Sequence, residues 1–146
     1  MADLDLVRRL GAADHGLAIV ATTRVDGTVQ ASVVNAGVMA APVGGHDVIA
    51  FVARGDAVKL RHLRARPLAT VVFRSGWEWV SVEGPTAIFG PDDPQGGFDE
   101  ERLRVLLRDV FAAAGGSHDD WDEYDRVMRS ERRAVVVVTP ERITSN

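Results

Sequence analysis

The sequence contains no cysteine, and Lys59 is the only lysine among its 17 basic residues. Without cysteine the chain cannot form disulfides, thiolate metal sites or a cysteine nucleophile. The four histidines lie far apart and lack the spacing of zinc ligands, so we predict no metal site.

The short motifs of several common catalytic folds are also missing. The sequence has no GxSxG turn, GxGxxG loop or GxxxxGKS loop, which leaves serine hydrolases, Rossmann proteins and P-loop proteins without support. The adjacent acids at 92–93 and 119–120 fit loop and helix-start positions better than a catalytic pair. If the protein is an enzyme, a cofactor must therefore carry the reaction.

The composition fits one folded domain. At 146 residues, 46% of them hydrophobic, the chain is long enough for one core, and we predict a single domain over residues 1–146. A formal charge of −4 argues against a nucleic-acid surface. The start, MADLDLVRRLG, carries acids where a signal peptide has basic residues, and no apolar run approaches the roughly 18 residues of a membrane helix. We expect a cytoplasmic protein that binds neither nucleic acid nor membrane.

Apolar alternation predicts a series of β-strands. Residues 16–38 form a predicted hairpin with its turn at Asp26-Gly27, a pair that tolerates the positive φ angles of a type I′ turn. A bulge or sheet edge is expected at Gly84-Pro85. The remaining predicted strands are DVIAFVAR, PLATVVF at 67–73, WEWVSVEGPTAIF at 77–89 and the buried segment AVVVVTPERI.

Helical spacing of apolar residues predicts the covering elements. Residues 3–10 form a short amphipathic helix that Gly11 stops, and a helix after the 90–97 loop ends at Gly115-Gly116. Another helix is DDWDEYDRVMRSE, with Trp121, Tyr124, Val127 and Met128 on one face. Six strands with two or three helices favour a mainly β antiparallel barrel over a parallel doubly wound sheet.

The densest basic run, DAVKLRHLRARP at 56–67, contains the only lysine. If this run is helical, Lys59 lies in the first turn, where free N–H groups and the helix dipole favour an anion. A phosphate is one candidate ligand, and a solvated basic face on a surface helix is the alternative.

Two tryptophans supply a second candidate feature. Trp77 and Trp79 stand two residues apart on a predicted strand and therefore project from one face. They could wall a flat ring, or they could fill a core or a subunit interface.

The chain contains, in order, the segments ATTRVDGTVQASVVN, KLRHLRARP, GWEWVSVEGPTAIFGPDD and SHDDWDEYDRVMRSERRAVVVVTPERI. Together they resemble the pyridoxamine 5′-phosphate oxidase-like, FMN-binding split-barrel superfamily, and within it the actinobacterial proteins that use the deazaflavin coenzyme F420. The resemblance implies a six-stranded antiparallel split barrel with flanking helices. It also implies a homodimer with two cofactor grooves between the subunits.

The resemblance further implies which residues bind the cofactor. A segment of the K-x-x-N-L-R-x-x-P type would hold the phosphate, here running from Lys59 to Pro67, with His62 in place of the usual asparagine. Ala57 stands where related proteins have arginine, and Arg54 and Arg61 are candidate replacements. The full predicted set is Ser32, Val34, Asn35, Val52, Ala53, Arg54, Ala57, Lys59, Arg61, His62, Trp77 and Trp79, with the tryptophans coming from the partner subunit.

We expect from this resemblance an F420-dependent oxidoreductase that transfers a hydride between the reduced deazaflavin and an unidentified small-molecule acceptor. No residue of the chain is assigned a catalytic role, and the loops 38–47 and 90–97 are candidates for selecting the acceptor. Three alternatives stay open. They are an FMN-dependent oxidase or reductase of the same fold, a non-catalytic flavin or deazaflavin carrier or sensor, and an interaction module whose basic helix meets an acidic protein.

Overall fold

The computed structural model describes residues 2–146, which form seven strands and four helices. None of these helices is long and apolar enough to cross a membrane. In chain order the elements are α1 (Leu4–Ala13), β1 (Leu17–Thr23), β2 (Val29–Ala40), β3 (Asp47–Ala53), α2 (Val58–Ala65), β4 (Leu68–Ser75), β5 (Glu78–Phe89), α3 (Glu100–Ala113), α4 (Trp121–Ser130), β6 (Ala134–Val138) and β7 (Arg142–Ser145).

Six strands close into an antiparallel barrel in the cyclic order β1, β2, β3, β6, β5, β4. The long strand β5 serves both halves, since residues 78–85 pair with β4 and residues 86–89 pair with β6. The predicted mainly β split barrel with flanking helices is confirmed. The structure adds a short strand, β7, along β5, and it has four helices where two or three were expected.

The first core fills the inside of the barrel. Alternate side chains of the strands point inward, and the largest of them, Phe51 and Phe73, are 0% and 1% exposed. Helix α2 closes an end of the barrel with Leu60 and Leu63, which belong to the same buried cluster. Burying a leucine side chain contributes roughly 1.5–3 kcal/mol, so this closure is strongly favoured.

A second core lies outside the barrel, between β3, β6 and the helices α3 and α4. Strand β6 is buried on both faces: Val136 faces the barrel interior, and Val135 and Val137 face the helices. The helices contribute Leu106, Leu107, Val110 and Tyr124 to this second core.

The first hairpin forms where predicted, but with a different turn. Of the pair Asp26 and Gly27, only Gly27 has a positive φ, 87°, so the type I′ prediction was wrong. The amide N of Arg24 donates to the carbonyl of Thr28 over 2.7 Å, and the Asp26 carboxylate accepts from the Thr28 amide over 3.0 Å. A longer loop thus satisfies its own polar groups, and only one left-handed residue is needed.

Helix α1 continues to Ala13 instead of stopping at Gly11. A Cβ at Gly11 would lie at an ordinary contact distance, 3.5 Å, from the ring of Phe73. The turn after the helix contains His15 and Gly16, whose φ angles are 58° and 73°. The predicted stop was wrong, because the residues with left-handed backbone angles follow Gly11 by four and five positions.

Gly84 and Pro85 mark the point where β5 changes partner. Between the pairs 83–142 and 86–138, β5 has two residues and the facing segment has three, 139–141. The extra residue therefore lies opposite the predicted bulge. The two backbones approach closely here, and a Cβ on Gly84 would lie 1.8 Å from the carbonyl oxygen of Thr139.

Replacing Gly84 by alanine should destabilise the fold by about 3 kcal/mol, because the methyl group would overlap a backbone atom that two paired strands hold in place. Gly96→Ala is a matched control, since nothing lies within 4 Å of a Cβ at that position. Denaturant unfolding compares the two variants with the parent. If Gly84→Ala loses no more stability than Gly96→Ala, the backbone at Thr139 does not require glycine at position 84.

Candidate functional site

A groove of about 500 Å³ opens beside β2 and β3, between α2 on one side and α3 and α4 on the other. Its walls combine aliphatic side chains with cations. Seven residues of the predicted cofactor-binding set line it: Val34, Asn35, Val52, Ala53, Arg54, Ala57 and Lys59.

Lys59 is half-buried at this groove because it precedes the fully buried Leu60 in α2. Burial lowers the pKa of Lys59, and the positive charge of Arg133 lowers it further. Among residues 2–146, Lys59 takes part in no salt bridge. An ammonium group thus lines a partly desolvated groove without an acid beside it.

The start of α2 adds to this positive potential. The N-cap residue Ala57 has no side chain that could accept a hydrogen bond from the first turn. The first N–H groups of a helix lack partners within the helix, and they carry the positive end of its dipole. Because Ala57 and Lys59 both line the groove, its α2 side favours an anion.

The other cations of the basic run are directed elsewhere. Arg64 forms two hydrogen bonds with the Asp93 carboxylate, at 2.8 and 2.6 Å, and Arg66 donates to the carbonyl of Val25 over 2.9 Å. Arg61 is exposed and lies outside the groove lining. The cations of the basic run therefore do not form one continuous site, and Lys59 is the cation of this run that lines the groove.

His62 contacts the barrel wall, not the groove. Its Nδ1 lies 2.9 Å from the hydroxyl of Thr22, a β1 residue that is only 2% exposed. A buried hydroxyl needs a hydrogen-bond partner, so this contact has a structural reason. The structure does not bring His62 and Lys59 into one lining.

The predicted residues of β2 divide between two environments. Val34 and Asn35 line the groove, whereas Ser32 is half-buried outside its lining. The Asn35 side-chain amide donates to the carbonyls of His15 and Ala114, over 2.9 and 3.2 Å. Asn35 thereby joins the start of β1 to the end of α3 at the groove edge.

The two tryptophans do not lie together on one strand as predicted. Trp77 is 92% exposed and forms a two-residue turn with Gly76, whose φ is 61°. Trp79 is half-buried on β5, paired with Arg74 of β4. Neither tryptophan lines the groove of its own chain.

Sequence reasoning missed the helical wall of the groove. Phe111, Tyr124, Met128 and Arg133 line it from the α3 and α4 side. The apolar face of α4 was recognised, but the sequence carries no signal that this face lies across from Lys59.

Two polar contacts hold α4 on α3. The buried Tyr124 hydroxyl donates to the carbonyl of Leu107 over 2.9 Å, and burial raises the pKa of Tyr124 to about 12. The Asp125 carboxylate accepts from Arg108 at 2.9 and 2.5 Å and from Arg104 at 3.2 Å, and these bonds lower the pKa of Asp125. The groove wall is thus fixed by charge-assisted hydrogen bonds.

The groove offers cations and apolar surface but little for proton transfer. Asp56 pairs with Arg54 at 3.5 Å, and the Tyr124 hydroxyl is already bonded to a backbone carbonyl. Within the described chain, no three histidine or acidic side chains come together as a metal site. The arrangement can bind an anion beside a flat apolar group and orient it.

No family model matches the sequence. The structure, however, resembles solved proteins over nearly its whole length. A conserved hypothetical protein from Mycobacterium tuberculosis gives a TM-score of 0.67 at 17% identity, covering 99% of this chain and 84% of the other. An FMN-binding protein from Nostoc punctiforme, related to pyridoxamine 5′-phosphate oxidase, gives 0.66 at 10% identity, covering 97% and 82%. This chain has their split-barrel fold.

A protein named F420 reductase shares the split barrel as well, with a TM-score of 0.59 at 17% identity and 88% of each chain covered. At these identities the likeness establishes the fold. The predicted resemblance to pyridoxamine 5′-phosphate oxidase-like, FMN-binding proteins is confirmed at that level.

Replacing Asp125 by asparagine should lower stability at neutral pH by about 1 kcal/mol, a value that allows for solvent screening of its partners. The folded-state pKa of Asp125 lies below its ordinary value of 3.8, so the carboxylate stabilises the fold above that value. This contribution is lost as the pH falls through the lowered pKa. Asp125→Asn should therefore show a weaker loss of stability below about pH 4 than the parent.

The control is Glu101→Gln, which removes an acid that contacts the same Arg104 but is 67% exposed. Its unfolding curve should stay near that of the parent. Parallel pH profiles for Asp125→Asn and the parent would mean that the contact between α3 and α4 does not depend on this carboxylate.

Proposed function

We propose that this protein is a homodimeric oxidoreductase that uses the deazaflavin coenzyme F420 to reduce or oxidise a small-molecule acceptor. The observation that carries the proposal is the position of Lys59, unpaired at the start of α2 and facing an apolar groove on a split barrel. Such a groove combines a site for a phosphoryl group with walls for a flat ring.

The residues present fit a flavin-type cofactor. Lys59 and the first turn of α2 would hold a phosphate, and Arg54 at the groove would meet further negative charge. Val52, Phe111 and Met128 provide the apolar surface that a ring system needs. When bound, the deazaflavin supplies hydride transfer at a ring carbon.

The chain's own contribution is then binding, orientation and exclusion of water. The groove lacks a free carboxylate, because Asp56 pairs with Arg54, and its one phenol is bonded to a backbone carbonyl. Because the cofactor would supply the hydride transfer, the proposal assigns no protein side chain as an acid or base.

FMN is the second candidate cofactor. The basic run contains fewer free cations than its sequence suggests, since Arg64 pairs with Asp93 and Arg66 with a carbonyl. This weakens the case for a long anionic tail, and the Nostoc punctiforme protein of the same fold is FMN-binding.

The homodimer is supported by an apolar outer face on the barrel. Ile19 of β1 pairs with Val33 on one side and Val72 on the other, which makes a row of aliphatic side chains across three strands. Ile19 and Val33 are 41% and 65% exposed, and Leu17 and Leu68 extend the face. Contiguous apolar surface of this kind marks an interaction site.

This face adjoins the groove, because Val33 belongs to both. A second copy seated on the face would border the groove. In the proposed dimer the partner's outer strands, including the one that bears Trp79, complete the cofactor site.

Ile19→Glu should convert the dimer to a monomer, because a carboxylate in the centre of an apolar interface would be desolvated without a partner. Val105→Glu is the matched control: Val105 is 43% exposed but lies on α3, away from the outer face. Sedimentation at micromolar concentration measures both. A parent that sediments as a folded monomer would refute the dimer.

Lys59→Gln should weaken binding of the cofactor by about 1.5–3 kcal/mol, the range for a hydrogen bond to a charged group. Fluorescence or calorimetric titration with F420 and FMN side by side measures the loss and identifies the preferred cofactor. Arg126→Gln on the exposed side of α4 is the control for loss of one positive charge.

Three outcomes of the titration separate the alternatives. Tighter binding of F420 supports the proposal, and tighter binding of FMN favours the second candidate. Failure of the parent to bind either cofactor would refute both. Turnover of the reduced cofactor with candidate acceptors then distinguishes an enzyme from a carrier or sensor.

A further inference from the structure

Three cations, Arg54, Lys59 and Arg133, line the same groove. The last pair between β3 and β6 is Ala53 with Ala134, so the next positions outward, Arg54 and Arg133, flank each other. Lys59 reaches the same groove from α2. Like charges opposite each other across paired strands are destabilising, which makes this placement costly without a counter-charge.

The backbone that presents Arg133 is held in an unusual conformation. Helix α4 ends at Ser130, and the turn that follows contains Arg132, which has a φ of 50°, a left-handed value uncommon for a residue other than glycine. The amide N of Arg133 donates to the carbonyl of Met128 over 2.9 Å, closing the end of the helix. Gly55 packs directly on this turn, since a Cβ there would lie 2.6 Å from the Arg132 carbonyl oxygen. The loop after β3 and the turn before β6 are thus locked together.

The acids near these cations compensate only two of them. Arg54 pairs with Asp56 at 3.5 Å, and Arg133 pairs with Glu131 at 2.8 Å. Within the described residues Lys59 has no salt bridge. The end of the groove therefore keeps one uncompensated positive charge that is partly removed from water.

We propose that Arg133 is a ligand-binding residue that, together with Lys59, binds a phosphoryl group across this groove. The inference rests on the proposed function in that the phosphoryl group would belong to the flavin-type cofactor. It adds a contact from outside the basic run of α2, since Arg133 follows Lys59 by more than seventy positions.

Two properties of Arg133 fit this role. Its side chain is only 26% exposed, so its guanidinium is partly desolvated and interacts strongly with a nearby anion. It is also close enough to Lys59 to lower the pKa of that ammonium group. A phosphoryl group between the two would relieve their repulsion. The Nε and Nη2 groups of Arg133 already contact the Glu131 carboxylate, so Nη1 and the second Nη2 hydrogen would donate to the phosphoryl group.

Because Lys59 is the only lysine, the test can observe one atom directly. Protein labelled with ¹³Cε-lysine gives a single lysine signal, whose pH titration reports the pKa of Lys59. The parent should titrate below 10.5, and Arg133→Gln should raise the pKa. Arg133→Lys keeps the positive charge but adds a second lysine signal, which is assigned by its presence in Lys59→Gln/Arg133→Lys. In Arg133→Lys the Lys59 signal should still titrate at a lowered pKa. Arg129→Gln, an exposed arginine on α4, controls for the loss of one charge.

Ligand titrations on the same labelled protein identify what the pair binds. In the parent, inorganic phosphate and FMN should each shift the Lys59 signal and raise its pKa, whereas riboflavin, which lacks the phosphate, should not raise the pKa. Arg133→Gln should weaken phosphate and FMN binding about ten- to a hundredfold and leave riboflavin binding unchanged. Stronger binding of FMN than of free phosphate assigns the phosphoryl group to a cofactor.

An unchanged Lys59 pKa and unchanged phosphate affinity in Arg133→Gln would overturn the proposal. Equal weakening of FMN and riboflavin would also overturn it, because the arginine would then shape the groove without binding the phosphate. If the parent binds phosphate in an Arg133-dependent way but no flavin or deazaflavin, the phosphoryl site stands and the proposed oxidoreductase function fails.

Discussion

The packing of α2 across the end of the barrel is the constraint on which the candidate site depends. Leu60 and Leu63 enter the barrel core and are 0% and 1% exposed, which fixes the rotation of the helix about its axis. With 100° between successive residues, Lys59 then lies at the groove, and Arg61 and Arg64 are turned outward. The same side chains that close the core therefore decide which cation of the basic run can meet a ligand.

Strand β5 pairs with β4 along one half and with β6 along the other, and the two sides of the barrel are covered differently. Helices α3 and α4 cover β3 and β6, where a second core forms. No comparable cover shields Ile19 and Val33 on the opposite side, as their exposure shows for the described chain. The groove lies at the border between these sides, since Val33 and Tyr124 both line it. In the proposed dimer, the second subunit would therefore border the ligand-binding groove.

The arginine-rich composition serves mainly to hold segments in place. Asp92 and Asp93, in the loop before α3, pair with Arg132 and Arg64, so that loop is anchored to α2 and to the end of α4. Asp120 caps α4 by accepting from the amide of Glu123 over 3.1 Å. Three of the four acids in the two adjacent pairs, Asp92, Asp93 and Asp120, therefore have structural contacts. Of the three groove cations, Lys59 has no such partner within the described residues.

The sequence by itself determined the type of most elements, the barrel class and the seven groove residues that lie near one another along the chain or on β2 and β3. The element types and the barrel class follow from local rules, because alternation and helical spacing are set by backbone geometry. The groove residues were implied by the resemblance to the split-barrel superfamily. Only the tertiary structure decided that Arg64 and His62 turn away from Lys59, that Trp77 sits in a turn, and that Tyr124, Met128 and Arg133 form the facing wall. Apart from the local turn at Trp77, these features depend on contacts between distant segments, such as Arg64 with Asp93 and Gly55 with Arg132. Space and partners between packed elements decide such contacts, and no local pattern records them.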